Sequence, residues 1–167
     1  PLPPPPEEAD PRGRLHTKGR DAEAIRHHYD VGNDFYRLVL GESMTYSCAL
    51  FAEEGTTLEE AQALKHEHVC RKLGLRPGDR LLDIGCGWGA MAMHAAQHHG
   101  ARVVGITISE QQARLAQDRV RRAGLADRVE IRLQDYRDVA DEPFDAVSSI
   151  GMFEHVGMEQ VEAYLRS

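Results

Sequence analysis

The stretch Leu81-Leu82-Asp83-Ile84-Gly85-Cys86-Gly87-Trp88-Gly89 passes directly from an apolar run into three closely spaced glycines. The residues from Arg80 to Ile84 predict a short buried strand, and those from Ala90 to His99 predict a helix. Glycines at such a junction let the backbone turn sharply and approach a ligand, and the helix end offers free N–H groups. With Asp83 at the strand end, the pattern favours a nucleotide-like ligand over a tight turn that serves the fold alone.

Three further apolar runs continue this pattern towards the C-terminus. Arg102 to Ile106, Val129 to Leu133 and Ala146 to Ile150 are strand candidates. Alternating strands and helices are typical of an α/β fold, here a Rossmann-like doubly wound parallel sheet. Ligands of such sheets bind beyond the carboxyl ends of the strands, and the glycine-rich stretch lies at one of those ends.

Two predicted helices carry their own start and stop signals. Thr57 and Glu60 have the spacing of a capping box, and Gly74 ends the helix that follows. Ser109 is placed to cap a second helix, which Gly124 ends. The apolar faces expected to pack are Leu58, Ala61, Val69 and Leu73 in the first helix, and Ala113, Ala116, Val120 and Ala123 in the second.

The composition and pattern divide the chain into three segments. Residues 1–20 are rich in proline and charge, so we expect a disordered tail. Residues 21–75 form a helical segment with a turn at Val31 to Asp34, and the resemblance described below implies that this segment covers a ligand site. Residues 76–167 hold the sheet.

Composition and charge restrict the classes of function. The 167 residues fit one domain, and the net charge of −7 argues against nucleic acid as a partner. Cys48, Cys70 and Cys86 lack metal-type spacing and predict free thiols in a reducing compartment. No apolar run is long enough to cross a bilayer and no signal peptide is visible, so we expect a soluble, cytoplasmic chain.

The spacing of the glycines restricts the nucleotide. A dinucleotide site needs G-x-G-x-x-G and an acidic residue about 20 positions further on. This chain has G-x-G-x-G, and its second strand ends at Gly105 to Ser109 without an acidic residue. A ligand without phosphates therefore fits better.

Five separated motifs then carry a resemblance to a known family. They are His28 to Phe35, Met44 to Cys48, Leu82 to Gly89, Gln134 to Asp138 and Gly151 to His155. In this order they resemble the cyclopropane fatty acid synthase and mycolic acid cyclopropane synthase family, which are class I S-adenosylmethionine-dependent methyltransferases. The resemblance covers about residues 26–167 and implies a seven-stranded sheet, whereas the pattern predicts four strands before Ser167. We therefore expect a fold that is incomplete at its C-terminus.

The resemblance implies S-adenosylmethionine as cofactor and assigns residues to its site. Some of these residues have a purely structural alternative. Thr107 and Gln112 could serve only the strand end and the helix cap. Tyr136 could be an ordinary half-buried aromatic residue, and Cys86 could simply pack. The implied cofactor residues are Tyr46, Ser47, Asp83, Gly85, Cys86, Gly87, Trp88, Gly89, Thr107, Ile108, Ser109, Gln112, Asp135, Tyr136 and Arg137.

The resemblance also implies the chemistry. A methyl group is transferred to the cis double bond of an unsaturated acyl lipid, and a bound bicarbonate then removes a proton so that a cyclopropane ring closes. Cys48, Glu154 and the backbone near Ile150 are the implied bicarbonate site. Neighbouring anions repel, so we expect a raised pKa for Glu154. Each residue also has a structural alternative to this role. Glu154 could be an acidic residue at a helix N-terminus that interacts with the helix dipole, and Cys48 could be a small buried packing residue.

Several alternatives stay open at this stage. The same motifs suit methylation to a branched acyl chain, or a noncatalytic cofactor-binding remnant. Arg119, Arg121, Arg122 and Arg128 either meet anionic headgroups at the inner membrane face or form a solvated helix face. His94 and His98 are four residues apart on one helix, but no third ligand is visible and we expect no metal.

Overall fold

The computed structural model describes residues 17–21, 32–141, 143–153 and 156–166. One helical turn covers residues 18–21, and short 3-10 turns lie at Tyr136–Asp138 and Met158–Gln160. The longer elements are α1 (Asn33–Leu40), α2 (Leu58–Leu73), β1 (Arg80–Ile84), α3 (Ala90–His99), β2 (Arg102–Thr107), α4 (Glu110–Arg122), β3 (Val129–Leu133), β4 (Ala146–Ser149) and α5 (Val161–Arg166). In the described residues, no helix combines the length and the apolar content needed to cross a membrane.

The strands form a four-stranded sheet in the order β3-β2-β1-β4, and every pairing is parallel. Asp83 of β1 pairs with Gly105 of β2 on one side and with Ser148 of β4 on the other. The predicted fold class is confirmed, with β2 one residue longer and β4 one residue shorter than expected. From β1 the chain first adds β2 and β3 on one side of the sheet and then adds β4 on the other side. Doubly wound sheets bind their ligands at this point, where the strand order reverses.

Two apolar layers sandwich this sheet. On one face, Leu81 and Val103 pack with the small residues of α3 and α4. On the other face, Leu82, Ile84 and Ile106 pack against Val156 and α5. Successive side chains of β1 thus point to opposite faces, and both faces of this central strand are covered, as is typical of parallel sheets.

The packing face of α4 ends earlier than its pattern predicts. Ala113, Ala116 and Val120 are buried as expected, but Ala123 is exposed. The helix stops at Arg122, Ala123 is its cap, and the chain then turns back. Leu125, whose backbone N–H donates to the carbonyl of Val120, is buried there instead.

The packing face of α2 agrees with the predicted one at Ala61, Val69 and Leu73 but not at Leu58. The capping box of Thr57 and Glu60 is present, but Leu58 is 36% exposed. The buried positions are Ala61, Gln62, His66 and Cys70. Polar side chains are buried here because this face of α2 meets α3 and the ends of the sheet rather than apolar core alone.

Candidate functional site

A cavity of about 290 Å³ opens at the carboxyl ends of the strands. Its wall comes from the glycine-rich stretch, the segment before α2, the end of β2 and the 3-10 turn after β3. This size lies at the lower edge of the range typical of small-molecule sites. The position agrees with the ligand site expected for a doubly wound sheet.

Most of the predicted site residues lie around this cavity. Gly89, Ser109 and Cys48 are not part of its wall, and Glu154 and His155 lie outside the described residues. The predicted residues in the wall are Tyr46, Ser47, Asp83, Gly85, Cys86, Gly87, Trp88, Thr107, Ile108, Gln112, Asp135, Tyr136, Arg137 and Ile150. Their role in holding a cofactor stays a prediction.

The glycine-rich stretch is held by the neighbouring strand. The backbone N–H groups of Gly85 and Cys86 both donate to the carbonyl of Ile106, at 2.9 Å each. Gly87 has φ 56°, and a Cβ placed on it would have no atom within 4 Å. A side chain here would project into open space beside the cavity and strain the backbone, so glycine keeps room for a ligand.

Trp88 turns away from solvent and anchors α1. Its side chain is 1% exposed, packs 5.0 Å from the ring of Tyr36, and donates from Nε1 to Asn33 Oδ1 at 2.8 Å. Leu40 and Met44 complete this apolar cluster. Trp88 thus lines the cavity and also holds α1 in place beside it.

Arg119 of α4 fastens the same segment. Its guanidinium donates to the carbonyls of Trp88 (2.7 Å), Ser43 (3.0 Å) and Glu42 (3.2 Å). The guanidinium is therefore occupied in holding the backbone, which corrects the expectation that Arg119 is free to meet headgroups or solvent. Arg121 pairs with Asp118 on the same helix.

Asp83 is the most deeply buried carboxylate of the wall. It is 2% exposed, and Oδ1 accepts a hydrogen bond from Ser148 Oγ at 2.7 Å. Among the described residues, its Oδ2 has no hydrogen-bond partner. Burial raises the pKa of Asp83 to about 6, although Ser148 and Lys65 oppose the rise. A polar group without a partner is costly unless a ligand supplies one.

The sequence did not predict two polar residues of α2. Lys65 lines the cavity, and Gln62 binds the backbone of the lining residue Ser47. Lys65 Nζ donates to Ser47 Oγ at 2.7 Å, and burial lowers the pKa of Lys65 to about 8. Gln62 Nε2 donates to the carbonyl of Ser47 at 2.9 Å. The apolar pattern of α2 assigned both residues to the solvent-exposed face. Only their helical spacing from the buried Ala61 could have indicated that Gln62 is buried and Lys65 partly buried.

Thr107, Ser109 and Gln112 form a closed polar unit. Thr107 Oγ1 donates to Gln112 Oε1 at 2.7 Å, and the backbone N–H of Ser109 donates to Thr107 Oγ1 at 3.2 Å. Ser109 Oγ accepts from the backbone of Gln112 and caps α4. Thr107 and Gln112 therefore serve the strand end and the helix start, and both also face the cavity.

The 3-10 turn after β3 closes another side of the cavity. Asp135 accepts from both the backbone and the guanidinium of Arg137, at 2.9 and 2.8 Å. Arg137 also donates to Asp21 at 3.1 Å, and its guanidinium lies 5.5 Å from the ring centre of Tyr136. These contacts fix an aromatic face and an acidic group at the cavity edge.

The predicted bicarbonate residues are only partly brought together. Ile150 lies in the cavity wall, while Cys48 is exposed and stands next to Ser47 of the wall. Glu154 is outside the described residues, so its predicted raised pKa stays a prediction.

The chain is similar in sequence to known proteins over nearly its whole length. The sequence model of a family described as mycolic acid cyclopropane synthetase matches residues 16–167. A probable fatty acid methyltransferase of Mycobacterium tuberculosis is 54% identical over 98% of the chain and 40% of its own length. The cyclopropane-fatty-acyl-phospholipid synthase of Escherichia coli is 46% identical over 90% of the chain and 38% of its own length.

A solved structure supports the same relationship. The mycolic acid cyclopropane synthase CmaA1, solved in complex with SAH and CTAB, superimposes with a TM-score of 0.79 at 43% identity. The match covers 84% of this chain and 49% of that one. The chain thus spans less than half the length of these relatives.

Proposed function

Because the chain belongs to the mycolic acid cyclopropane synthetase family, we propose that it is the cofactor-binding part of a lipid-modifying methyltransferase. The proposed reaction transfers one carbon from S-adenosylmethionine to the cis double bond of an unsaturated acyl lipid, forming a cyclopropane ring. Relatives with this chemistry in their names, and a structural neighbour solved with SAH, support this proposal.

The observation that carries the proposal is the cavity beside the glycine-rich stretch. Gly87 leaves open space there, and Asp83 Oδ2 is buried without a partner among the described residues. The Asp135 to Arg137 turn adds an aromatic and an acidic edge. These features fit a nucleoside with a polar tail and no phosphates.

The cofactor supplies an electrophilic methyl group on a sulfonium. The chain's own residues bind and orient it: the glycine-rich backbone permits close approach, and Asp83 with Lys65 sets the charge of the inner wall. Arg119 donates to the carbonyls of Glu42 and Ser43, and Trp88 packs with Met44, so both hold the segment that supplies residues 44–47 to the cavity wall.

For the proton-removing base, we propose bicarbonate held near Ile150 by Cys48 and Glu154. The supporting observations are that Ile150 lines the cavity and that Cys48 directly follows the lining residue Ser47 in the chain. Turnover by the protein should rise with added bicarbonate and should fall in Cys48→Ser. Full turnover in Cys48→Ser would reduce Cys48 to a surface residue.

A second candidate function is methylation to a branched acyl chain. Its specific support is that the 54% and 51% identical relatives are both named probable fatty acid methyltransferases. Mass spectrometry of lipids from cells that express the protein separates the two products. A ring and a methylene branch have equal mass, so the fragments must be compared after chemical derivatisation of double bonds.

Calorimetry with S-adenosylmethionine and SAH tests the binding step first. We expect SAH to bind the protein. Gly87→Val should bind it at least about tenfold more weakly, since the valine side chain would occupy the open space beside the cavity and strain a backbone with φ 56°. Gly124→Val is the matched control, because Gly124 is exposed after α4, has φ 68°, and has no atom within 4 Å of an added Cβ. Binding that is unaffected by Gly87→Val would reject this site.

A turnover assay then separates an enzyme from a noncatalytic binding remnant. Cofactor binding followed by methyl transfer to unsaturated phospholipid supports the enzyme. Binding without transfer in every lipid tested would instead support the remnant.

We also propose a cytoplasmic location with contact to the inner membrane face. The supporting feature is α1, where Phe35, Leu38 and Val39 are 49%, 88% and 55% exposed and lie close together at helical spacing. Leu38→Asp should weaken sedimentation with anionic vesicles more than charge reversal at Arg122. Equal binding by wild type and Leu38→Asp would contradict this role of α1.

A further inference from the structure

A second group of chemically active side chains lies between α2 and α3. Cys70 is on α2, and His94 and His99 are on α3. Cys70 is fully buried and the two histidines are largely buried, with side-chain exposures of 13% and 16%. The site proposed above uses none of these three residues.

The donor atoms of this group converge. The Cys70 sulfur and one ring nitrogen each of His94 and His99 all lie within 4.8 Å of one another. In a tetrahedral zinc site, bonds of about 2.0–2.3 Å place neighbouring donor atoms about 3.3–3.8 Å apart. Side-chain movements of about 1 Å therefore close the group around an ion, which is within the reach of rotamer adjustment at a helix interface.

Glu67, one turn before Cys70 on α2, faces both imidazoles. Its Oε2 lies 2.8 Å from His99 Nε2 and 3.4 Å from His94 Nε2. A carboxylate against one ring nitrogen of a metal-binding histidine orients the ring and is a common partner in such sites. The interface thus holds the donors and a group that positions two of them.

The donor types select the ion. Thiolate and imidazole are ligands for zinc, whereas magnesium and calcium require a set of oxygen ligands. His98 is exposed on α3, and its ring lies 4.5 Å from that of His94. The pair His94 and His98, which the sequence suggests, is therefore not the converging one, because His99 and a cysteine from the other helix complete the group.

We propose that Cys70, His94 and His99 form a zinc-binding site that clamps α2 onto α3, with Glu67 orienting the two imidazoles. Zinc binding displaces the thiol proton of Cys70 to solvent, and both histidines bind as neutral imidazoles. The ion then stabilises the position of α2, the helix that carries Lys65 to the cavity.

The test loads the purified, reduced protein with Zn²⁺, removes excess metal by gel filtration, and measures retained zinc by mass spectrometry. Wild type should retain one equivalent and should unfold at a higher temperature with zinc than after chelation. With Co²⁺ as a probe, the protein should show the near-ultraviolet charge-transfer band of a cobalt thiolate. That band should be absent in Cys70→Ala.

Variants assign the donors. His99→Gln should weaken zinc binding by about a hundredfold or more, and Glu67→Gln by about tenfold, in line with losses of partner groups around metals. His68→Gln, an exposed histidine on α2, is the matched control and should bind like wild type. Circular dichroism checks folding, and His99→Gln carries the test if Cys70→Ala does not fold.

Two results would overturn the proposal. One is reduced wild-type protein that retains no zinc and gains no thermal stability from it. The other is equal zinc retention in wild type, Cys70→Ala and His99→Gln, which would place any bound ion elsewhere on the chain.

Discussion

Asp83 places a carboxylate at the end of β1 where solvent barely reaches it. Its pKa of about 6 lies above the ordinary value of 3.8 because burial disfavours the charged form. Between these two pH values the native state binds more protons than the unfolded state. The contribution of Asp83 to the unfolding free energy therefore falls as pH rises through this window, and levels off above it.

Asp83→Asn should remove this dependence. Relative to the variant, the wild-type unfolding free energy should fall by about 3 kcal/mol between about pH 3.5 and pH 7, since each pKa unit corresponds to about 1.4 kcal/mol. Urea unfolding at a series of pH values measures the difference. Asp127→Asn, at an exposed position, should follow wild type. Parallel curves for wild type and Asp83→Asn would contradict the raised pKa.

Lys65 should be unusually reactive for a lysine of this chain. Its pKa of about 8 gives it more neutral amine at mildly alkaline pH than a lysine with the ordinary value of 10.5. Limiting acylating reagent at about pH 8, followed by peptide mass spectrometry, should label Lys65 early, and SAH should protect it. Lys72, exposed on the same helix, should gain no protection. Labelling of Lys65 that SAH leaves unchanged would separate it from the ligand site.

At this scale the sequence predicted half of the residues that line the cavity, including Asp83 and Asp135, but it did not predict Lys65. The glycine-rich stretch and the Asp135 to Arg137 turn are local motifs that can be read from adjacent residues. Lys65 reaches the cavity from another helix, and its neighbour Ser47 is 18 residues away in the sequence. The burial that lowers its pKa depends on how α2 packs, which no local pattern encodes.

At the scale of the helices and strands, the bounds were predicted better than the packing faces. The bounds of β1, α3 and β3 follow from apolar runs and glycines, and the predicted bounds match the structure. The faces of α2 and α4 differ from prediction at Leu58 and Ala123, both at helix ends. Helical periodicity identifies a stripe, but the neighbouring chain decides how far along the helix it is covered.

Arg119 provides a prediction about how elements are joined. Arg119→Met removes three hydrogen bonds from α4 to the carbonyls of Trp88, Glu42 and Ser43. We expect a loss of about 2–4 kcal/mol in unfolding free energy, since charged donors to partly buried carbonyls are among the stronger hydrogen bonds. Urea unfolding measures this loss.

Arg122→Met is the control on the same helix, because Arg122 is exposed. It should change the unfolding free energy by less than about 0.5 kcal/mol. Equal effects of the two substitutions would mean that the carbonyl contacts contribute little.

The whole molecule should become more stable when its cavity is filled. SAH at about one hundred times its dissociation constant should raise the unfolding free energy by about 2.7 kcal/mol, because it binds the native state alone. Trp88, the one tryptophan of the sequence, lies in the cavity wall, so its emission should change on binding. A ligand-induced rise in melting temperature without any change in emission would place SAH elsewhere.

The strand order has a consequence for how such a protein changes over generations. The glycine-rich stretch, the end of β2 and the turn after β3 all precede Val139. Strand β4, on the other side of β1, and the wall residues Ile150, Met152 and Gln160 follow it. Substitutions after β4 can therefore reshape what the cavity admits from that side while the earlier cradle is inherited intact. A chain with this strand order can therefore vary one part of its cavity wall independently of the other.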